Sequence, residues 1–207
     1  MDVISHALWS GIIARLINFK RRARLKISLA AFWGAMPDVF AFAPLFAWLL
    51  FKIFILGEMN VASIPHPEDF EPPQADTFFI YQLTNFLYSL SHSLVVFILV
   101  FVLLWLLRKK FIELFAWGLH ILIDIPTHSF QFYPTPFLWP FSDYRFNGFS
   151  WADPWFLFFN YSAILLVYMA LRWKSGKNYL ENKKALGFSK SGENWRPRWR
   201  SPWPVML

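Results

Sequence analysis

Five histidines occur in the chain, and four of them, His6, His92, His120 and His128, lie within or at the edge of apolar stretches. Asp38 and Asp124 share that setting. Ionisable groups in such segments are costly to bury and mark function when they cluster. The tightest arrangement is His120-Ile-Leu-Ile-Asp124-Ile-Pro-Thr-His128. On a helix, positions i and i+4 share a face, so His120 and Asp124 point the same way, about 6 Å apart along the axis. That spacing suits two ligands of one metal ion, or an aspartate bridging two. His128 would lie about 12 Å from His120 on a continued helix, too far to share one ion. Either Pro126 bends the chain and returns His128 to the site, or a second ion is present. With no cysteine in the chain, ligation falls to nitrogen and oxygen, which fits zinc or another borderline divalent ion.

A single histidine in such a segment is ordinarily a partner in an interhelical hydrogen bond. Six buried-type ionisable residues with one ordered triplet favour a site over six separate bonds. The same residues would also serve a proton relay. Short polar neighbours accompany the histidines, as Ser5-His6, Ser91-His92-Ser93 and Thr127-His128-Ser129. They either orient ligand rings or make weak interhelical bonds. Met36-Pro37-Asp38 sets a carboxylate beside a helix-breaking proline. There it either faces a cavity or caps a helix. Asp153, just before Pro154, reads as a cap. His66 stands apart in an acidic loop. Gly-rich phosphate loops and G-x-S-x-G elbows are absent, and there is no thiol nucleophile.

The elements that must position these residues are apolar helices. Hydrophobic residues make up 57% of the 207 and charged ones 16%, against about 45–50% and about 25% in soluble proteins. The 25 Phe and 12 Trp are more rings than a soluble core of this size could hide. The sequence predicts an all-α, multi-pass transmembrane bundle of four or five hydrophobic segments. Residues 3–18 are marginal for a span of roughly 20 residues and either cross or lie on the surface. Residues 27–56 carry Pro37 and Pro44, which predict a kinked or broken helix. The charge-free run 77–107 contains the clearest span, about 86–107. Residues 111–125 and 155–171 supply two more, separated by an aromatic, Pro-rich interfacial loop at 129–154. Residues 1–175 form the membrane domain, and 176–207 a basic, Trp-rich tail. No cleavable signal peptide is expected.

The net charge of +7 sits beside the apolar runs, so it reads as topology rather than nucleic-acid binding. Basic clusters at 20–26, 108–110 and 172–184 belong in the cytoplasm, with the acidic loop 57–76 and the loop 129–154 outside. The N-terminus is outside if residues 3–18 span. The tail, with Trp195, Arg196, Arg198 and Trp199, reads as lying on anionic lipid.

The order Ser5-His6, Gly34-x-x-Pro37-Asp38, Ser91-His92-Ser93, His120-x-x-x-Asp124-x-x-Thr127-His128-Ser129, then Trp139-Pro140-Phe141 resembles the bacterial membrane-bound metal-dependent hydrolase family over roughly residues 5–155. That family is in turn distantly similar to zinc-dependent phospholipase C. The resemblance implies an inner-membrane location and His6, Asp38, His92, His120, Asp124 and His128 as metal ligands. It also implies hydrolysis as the reaction class. The expected substrate is an ester or phosphoester, lipid included, with Asp38 or Asp124 taking the proton of a metal-bound water. The later H-x-x-x-E pair of the phospholipases is missing here, so one or two ions, zinc by that likeness, are expected rather than three. A metal or proton transporter using the same residues is the competing expectation, and a non-catalytic membrane protein the third.

Overall fold

Long runs of Leu, Phe and Ala with few turn residues propagate helix, and a computed structural model of the chain shows helices as its regular elements. It describes residues 1–21, 24–57, 79–108, 111–131 and 133–185. His66, most of the acidic loop and the tail after 185 lie outside the described residues. The helices are α1 (Val3–Arg21), α2 (Ile27–Leu50, continued by a π-helical turn Phe51–Leu56), α3 (Phe79–Ser91), α4 (Leu94–Leu106), α5 (Phe115–Thr127, entered through a 3-10 turn Ile112–Leu114) and α6 (Pro154–Ala185). Among the described residues there is no strand. The chain divides into a unit Met1–Tyr168, which holds the site, and a unit Met169–Leu207, in which α6 runs on to Ala185.

Two helices, Ile27–Leu56 and Pro154–Lys177, are long and apolar enough to cross a membrane, and α3 with α4 makes a third if the bent pair counts as one span. The lipid-like exterior is clearest on α4. Phe97 is its one buried residue, and Leu99 and Trp105 are each 68% exposed. A helix this apolar with one whole face outward has no stable place in water. At 13 residues, α5 is shorter than a span.

One expectation needs correction, and one alternative is settled. The run 86–107 is not one helix: α3 and α4 meet at a 59° bend. Ser93 causes the break, because its extended backbone and its side chain, accepting from Val96 N, cap a new helix. The bend puts His92 at a corner rather than mid-span. Of the kinked or broken helix expected over 27–56, the broken alternative fails, since Pro37 and Pro44 lie inside α2 without ending it. Each proline removes one backbone bond, and the surrounding helices and apolar medium favour keeping the rest.

Around α2 the first unit is assembled by close helix contacts. Gly34 is essential to one of them: a Cβ there would lie 2.2 Å from Ser10 Oγ and 2.8 Å from the His6 carbonyl. Ala14, Ala30 and Ala116 continue this small-residue seam, the usual way for helices to approach in lipid. At one end of the unit Glu113 Oε1 accepts from Lys26 N (2.8 Å), and Asn18 bonds Leu25 through both its side-chain atoms. The turn after α1 therefore meets the start of α5. At the other end the beginning of α1 meets the end of α5 and the loop 128–153.

Candidate metal centre

Each ligand-type side chain reaches the centre for a local reason. Asp38 lies on the buried α2 face that includes Gly34 and Ala41, one helical turn to either side. His92 sits at the α3–α4 corner. His120 and Asp124 share a face of α5, both fully buried. His6 comes from the first turns of α1. His128 follows α5, where the chain leaves the helix in an extended conformation. That exit is held by the returning loop: Gly148 N, Phe149 N and Trp151 N donate to the carbonyls of His128, Pro126 and Thr127 at 2.8, 2.9 and 3.0 Å. These satisfy carbonyls that a helix end leaves open. A Cβ at Gly148 would stand 2.3 Å from the Pro126 carbonyl oxygen, so the loop needs glycine to come this close.

Ligand atoms of Asp38, His92, His120 and Asp124 lie within 4.8 Å of one another. His92 Nε2 is 3.0 Å from His120 Nε2 and 3.3 Å from Asp38 Oδ1. Asp124 Oδ2 is 3.0 Å from His120 Nε2 and 3.5 Å from His92 Nε2, and His120 Nε2 is 3.7 Å from Asp38 Oδ1. A tetrahedral ion with bonds of about 2.0–2.2 Å separates its ligands by about 3.3–3.6 Å. The observed separations bracket that value.

The protonation pattern points the same way. His120 Nδ1 donates to the Gly34 carbonyl at 2.7 Å, and His128 Nδ1 to the Tyr133 carbonyl at 2.6 Å. His92 Nδ1 donates to the Tyr88 carbonyl at 3.1 Å, with Ser91 Oγ beside it at 2.9 Å. Carbonyls only accept, so each Nδ1 carries the hydrogen, and a ring with no second proton turns the lone pair of Nε2 inward. The Nε2 atoms of His92 and His120 stand 3.0 Å apart, and in that form they oppose two lone pairs. Such a contact repels unless a cation or a shared proton lies between them. Asp38 Oδ2 and Asp124 Oδ2 are buried with no hydrogen bond of acceptable geometry. Buried carboxylate oxygens are rarely left so. The residues therefore fit a divalent cation on donor chemistry and on spacing.

Asp124 divides the centre in two. Its Oδ2 faces His92 and His120, while its Oδ1 faces His6 Nε2 at 2.8 Å and His128 Nε2 at 3.3 Å. The amino group of Met1 lies on that second side, against Asp124 Oδ1, Thr127 Oγ1 (3.2 Å) and His128 Nε2 (3.1 Å). All six residues singled out from the sequence thus converge, but as two groups on one carboxylate. His128 arrives by the turn after Thr127, and it joins His6 rather than His120.

Several contributors had no signal in the motifs. Tyr88 stacks on His92 with ring centroids 3.9 Å apart, and its hydroxyl donates to the Tyr133 carbonyl at 2.9 Å. It precedes His92 by four residues, so helical spacing could have flagged it. Tyr133 has φ +46°, a left-handed conformation unusual for a tyrosine. It turns one carbonyl toward both His128 and Tyr88. Asp2 caps α1 by accepting from Ser5 N (3.0 Å), and also accepts from the Tyr161 hydroxyl (2.8 Å). Burial pushes its carboxyl up, but the bonds from Ser5 and Tyr161 outweigh this and hold it below the usual value. Asn160 donates to Ser5 Oγ (2.7 Å) and accepts from Trp9 Nε1 (2.9 Å), which fastens α6 to the α1 turn that carries His6. Comparison of the chain with known protein families, with characterised proteins and with solved structures finds no match.

Proposed function

We propose that the chain is a membrane-bound, metal-dependent hydrolase of an ester or phosphoester, of the kind its motifs resemble. The observation that carries the metal reading is the 3.0 Å approach of two Nε2 atoms whose Nδ1 hydrogens are already donated to carbonyls. His92, His120, Asp38 and Asp124 would hold one ion, and zinc suits their nitrogen and oxygen donors. A second ion, against Asp124 Oδ1 with His6 and His128, would have to take the place where the Met1 amino group lies.

The chemistry such an ion supplies is Lewis acidity, which lowers the pKa of water toward about 7 and polarises an ester or phosphoryl oxygen. The chain's own groups divide the remaining work. Asp38 is the better base, because its side chain is 7% exposed where that of Asp124 is wholly buried. It would accept the proton of water and return it to the leaving oxygen. Asp124 is the bridge that keeps the two histidine pairs in register. The carbonyls of Gly34, Tyr88 and Tyr133 fix the ring orientations. We place the enzyme in the bacterial inner membrane with its basic turns in the cytoplasm, on the positive-inside rule.

The test is elemental analysis of detergent-purified protein beside a His120→Ala, Asp124→Ala variant, followed by turnover of phosphoester and carboxylester substrates. One or more equivalents of a transition metal and turnover in the parent, both lost in the variant, are the expected result. A parent that stays metal-free after incubation with zinc or manganese refutes the proposal. A second reading, proton or metal transport, is favoured by the same contact, since a proton shared between His92 and His120 also relieves it. Ion flux in proteoliposomes without turnover of any ester would select that reading.

A further inference from the structure

An apolar cleft of about 270 Å³ lies beside the metal centre, and nothing in the proposed chemistry uses it. One wall is a stripe of α2, Trp33, Met36, Pro37 and Phe40, at the i, i+3, i+4, i+7 spacing of one helix face. Val96 and Val100 of α4 face it, one turn apart. Two of its polar groups are engaged, as Trp117 Nε1 donates to the Ser91 carbonyl at 2.6 Å and Ser91 Oγ lies 2.9 Å from His92 Nδ1, while Trp33 Nε1 is buried without a hydrogen bond. A cavity lined this way offers water fewer than the two to four partners it needs. On the same helices Phe32, one turn before Met36, is 55% exposed and Leu99, one turn after Val96, is 68% exposed, and these helices are candidate spans. Where those helices span a bilayer, the medium at the cleft is lipid chain.

We infer that this cleft holds one acyl chain of a membrane lipid and brings that lipid to the metal centre. Position supports it, because three lining residues adjoin ligands in the chain. Pro37 precedes Asp38, Ser91 precedes His92, and Trp117 stands one turn before His120. An occupant would therefore lie one side-chain layer from the cluster. Size supports it as well: the volume is at the lower limit for small-molecule pockets of about 300–1,000 Å³, enough for a chain and too small for a whole lipid. The inference deepens the hydrolase reading, and rests on it for the fate of the bound lipid, by naming an acyl lipid as the substrate class.

The experiment reconstitutes the full chain in vesicles of phosphatidylethanolamine and phosphatidylglycerol, doped with phosphatidylethanolamine bearing a mid-chain diazirine. Irradiation and peptide mapping then locate the adducts. Adducts on Trp117 and on residues 33–40 are expected, in excess of those on lipid-facing Phe158 and Phe159. Val100→Trp, which occupies part of the cleft, should lower the cleft adducts about tenfold, the equivalent of about two displaced methylenes, and leave the α6 adducts unchanged. Val96→Phe replaces it if that variant does not fold. Cleft adducts equal in parent and variant, adducts on α6 alone, or a chain-to-chain crosslink through the cleft would each overturn the inference. Metal content and turnover, measured on the same samples, separate the two ideas. Metal and turnover without cleft adducts overturn the acyl site alone, whereas cleft adducts in a metal-free, inactive protein uphold it and overturn the hydrolase reading.

Discussion

The two oxygens of Asp124 see different partners, and this makes the two aspartates of the centre separable by substitution. Asp38→Asn keeps an oxygen that can still ligate but removes the basic carboxylate. Turnover should fall about 10²- to 10⁴-fold, the usual worth of a positioned base, with metal content near that of the parent. Asp124→Asn leaves one oxygen where two histidine pairs need two, and its amide hydrogens would oppose inward lone pairs. There the metal itself should be lost, measured by elemental analysis of the purified variant. If both variants lose metal equally, Asp38 is simply a ligand and the base lies elsewhere. If both keep metal and turnover, neither oxygen set matters and the centre is a buried hydrogen-bond cluster.

At the scale of elements, the α1–α2 seam brings His6 and Asp38 into the same centre. Gly34→Ala would thrust a methyl group into Ser10 and the His6 carbonyl. Overpacking of this kind costs about 1–3 kcal/mol. The variant should melt lower in detergent and bind metal more weakly, since the helices that carry two of the ligand-type residues are forced apart. Adding Ser10→Gly removes the nearest clash and should recover part of both losses; a melting temperature unmoved by Gly34→Ala would show that the seam is soft. The helices themselves were legible in the sequence, because apolar content and the absence of turn residues persist over whole segments. The α3–α4 break was not, since run 77–107 carries no charge and hydropathy cannot see a cap. The cap was visible only as Ser91-His92-Ser93, which reads equally as ring-orienting polar neighbours. Likewise His120 and Asp124 declared a common face by spacing, whereas the return of His128 depends on loop hydrogen bonds from Gly148 to Trp151 that no local pattern announces. That all six residues meet is a tertiary fact: their shared apolar setting suggests it, but only the packing of α1, α2 and α5 around the α3–α4 corner brings it about.

For the whole molecule the open variable is orientation, and the distribution of charge and rings makes it predictable. One end of the first unit carries the turn after α1, with Arg24 and Lys26, joined to Glu113 at the start of α5. The other end carries the loop 128–153, whose Phe141 and Phe149 are 84% and 79% exposed, the ring-rich character of a membrane interface. Basic residues near span ends stay in the cytoplasm, so these ends should lie on opposite sides, the loop and the metal centre toward the outer face. Because the chain has no cysteine, single thiols report position without background. Arg24→Cys and Asp143→Cys are both at exposed positions. In intact cells a membrane-impermeant thiol reagent should label Asp143→Cys at once and Arg24→Cys only after permeabilisation. The reverse pattern would invert the bundle and expose the centre's end to the cytoplasm, where a different pool of esters is available. Labelling of both from outside would mean that the segments between them do not cross, and that the first unit lies on the membrane instead of through it.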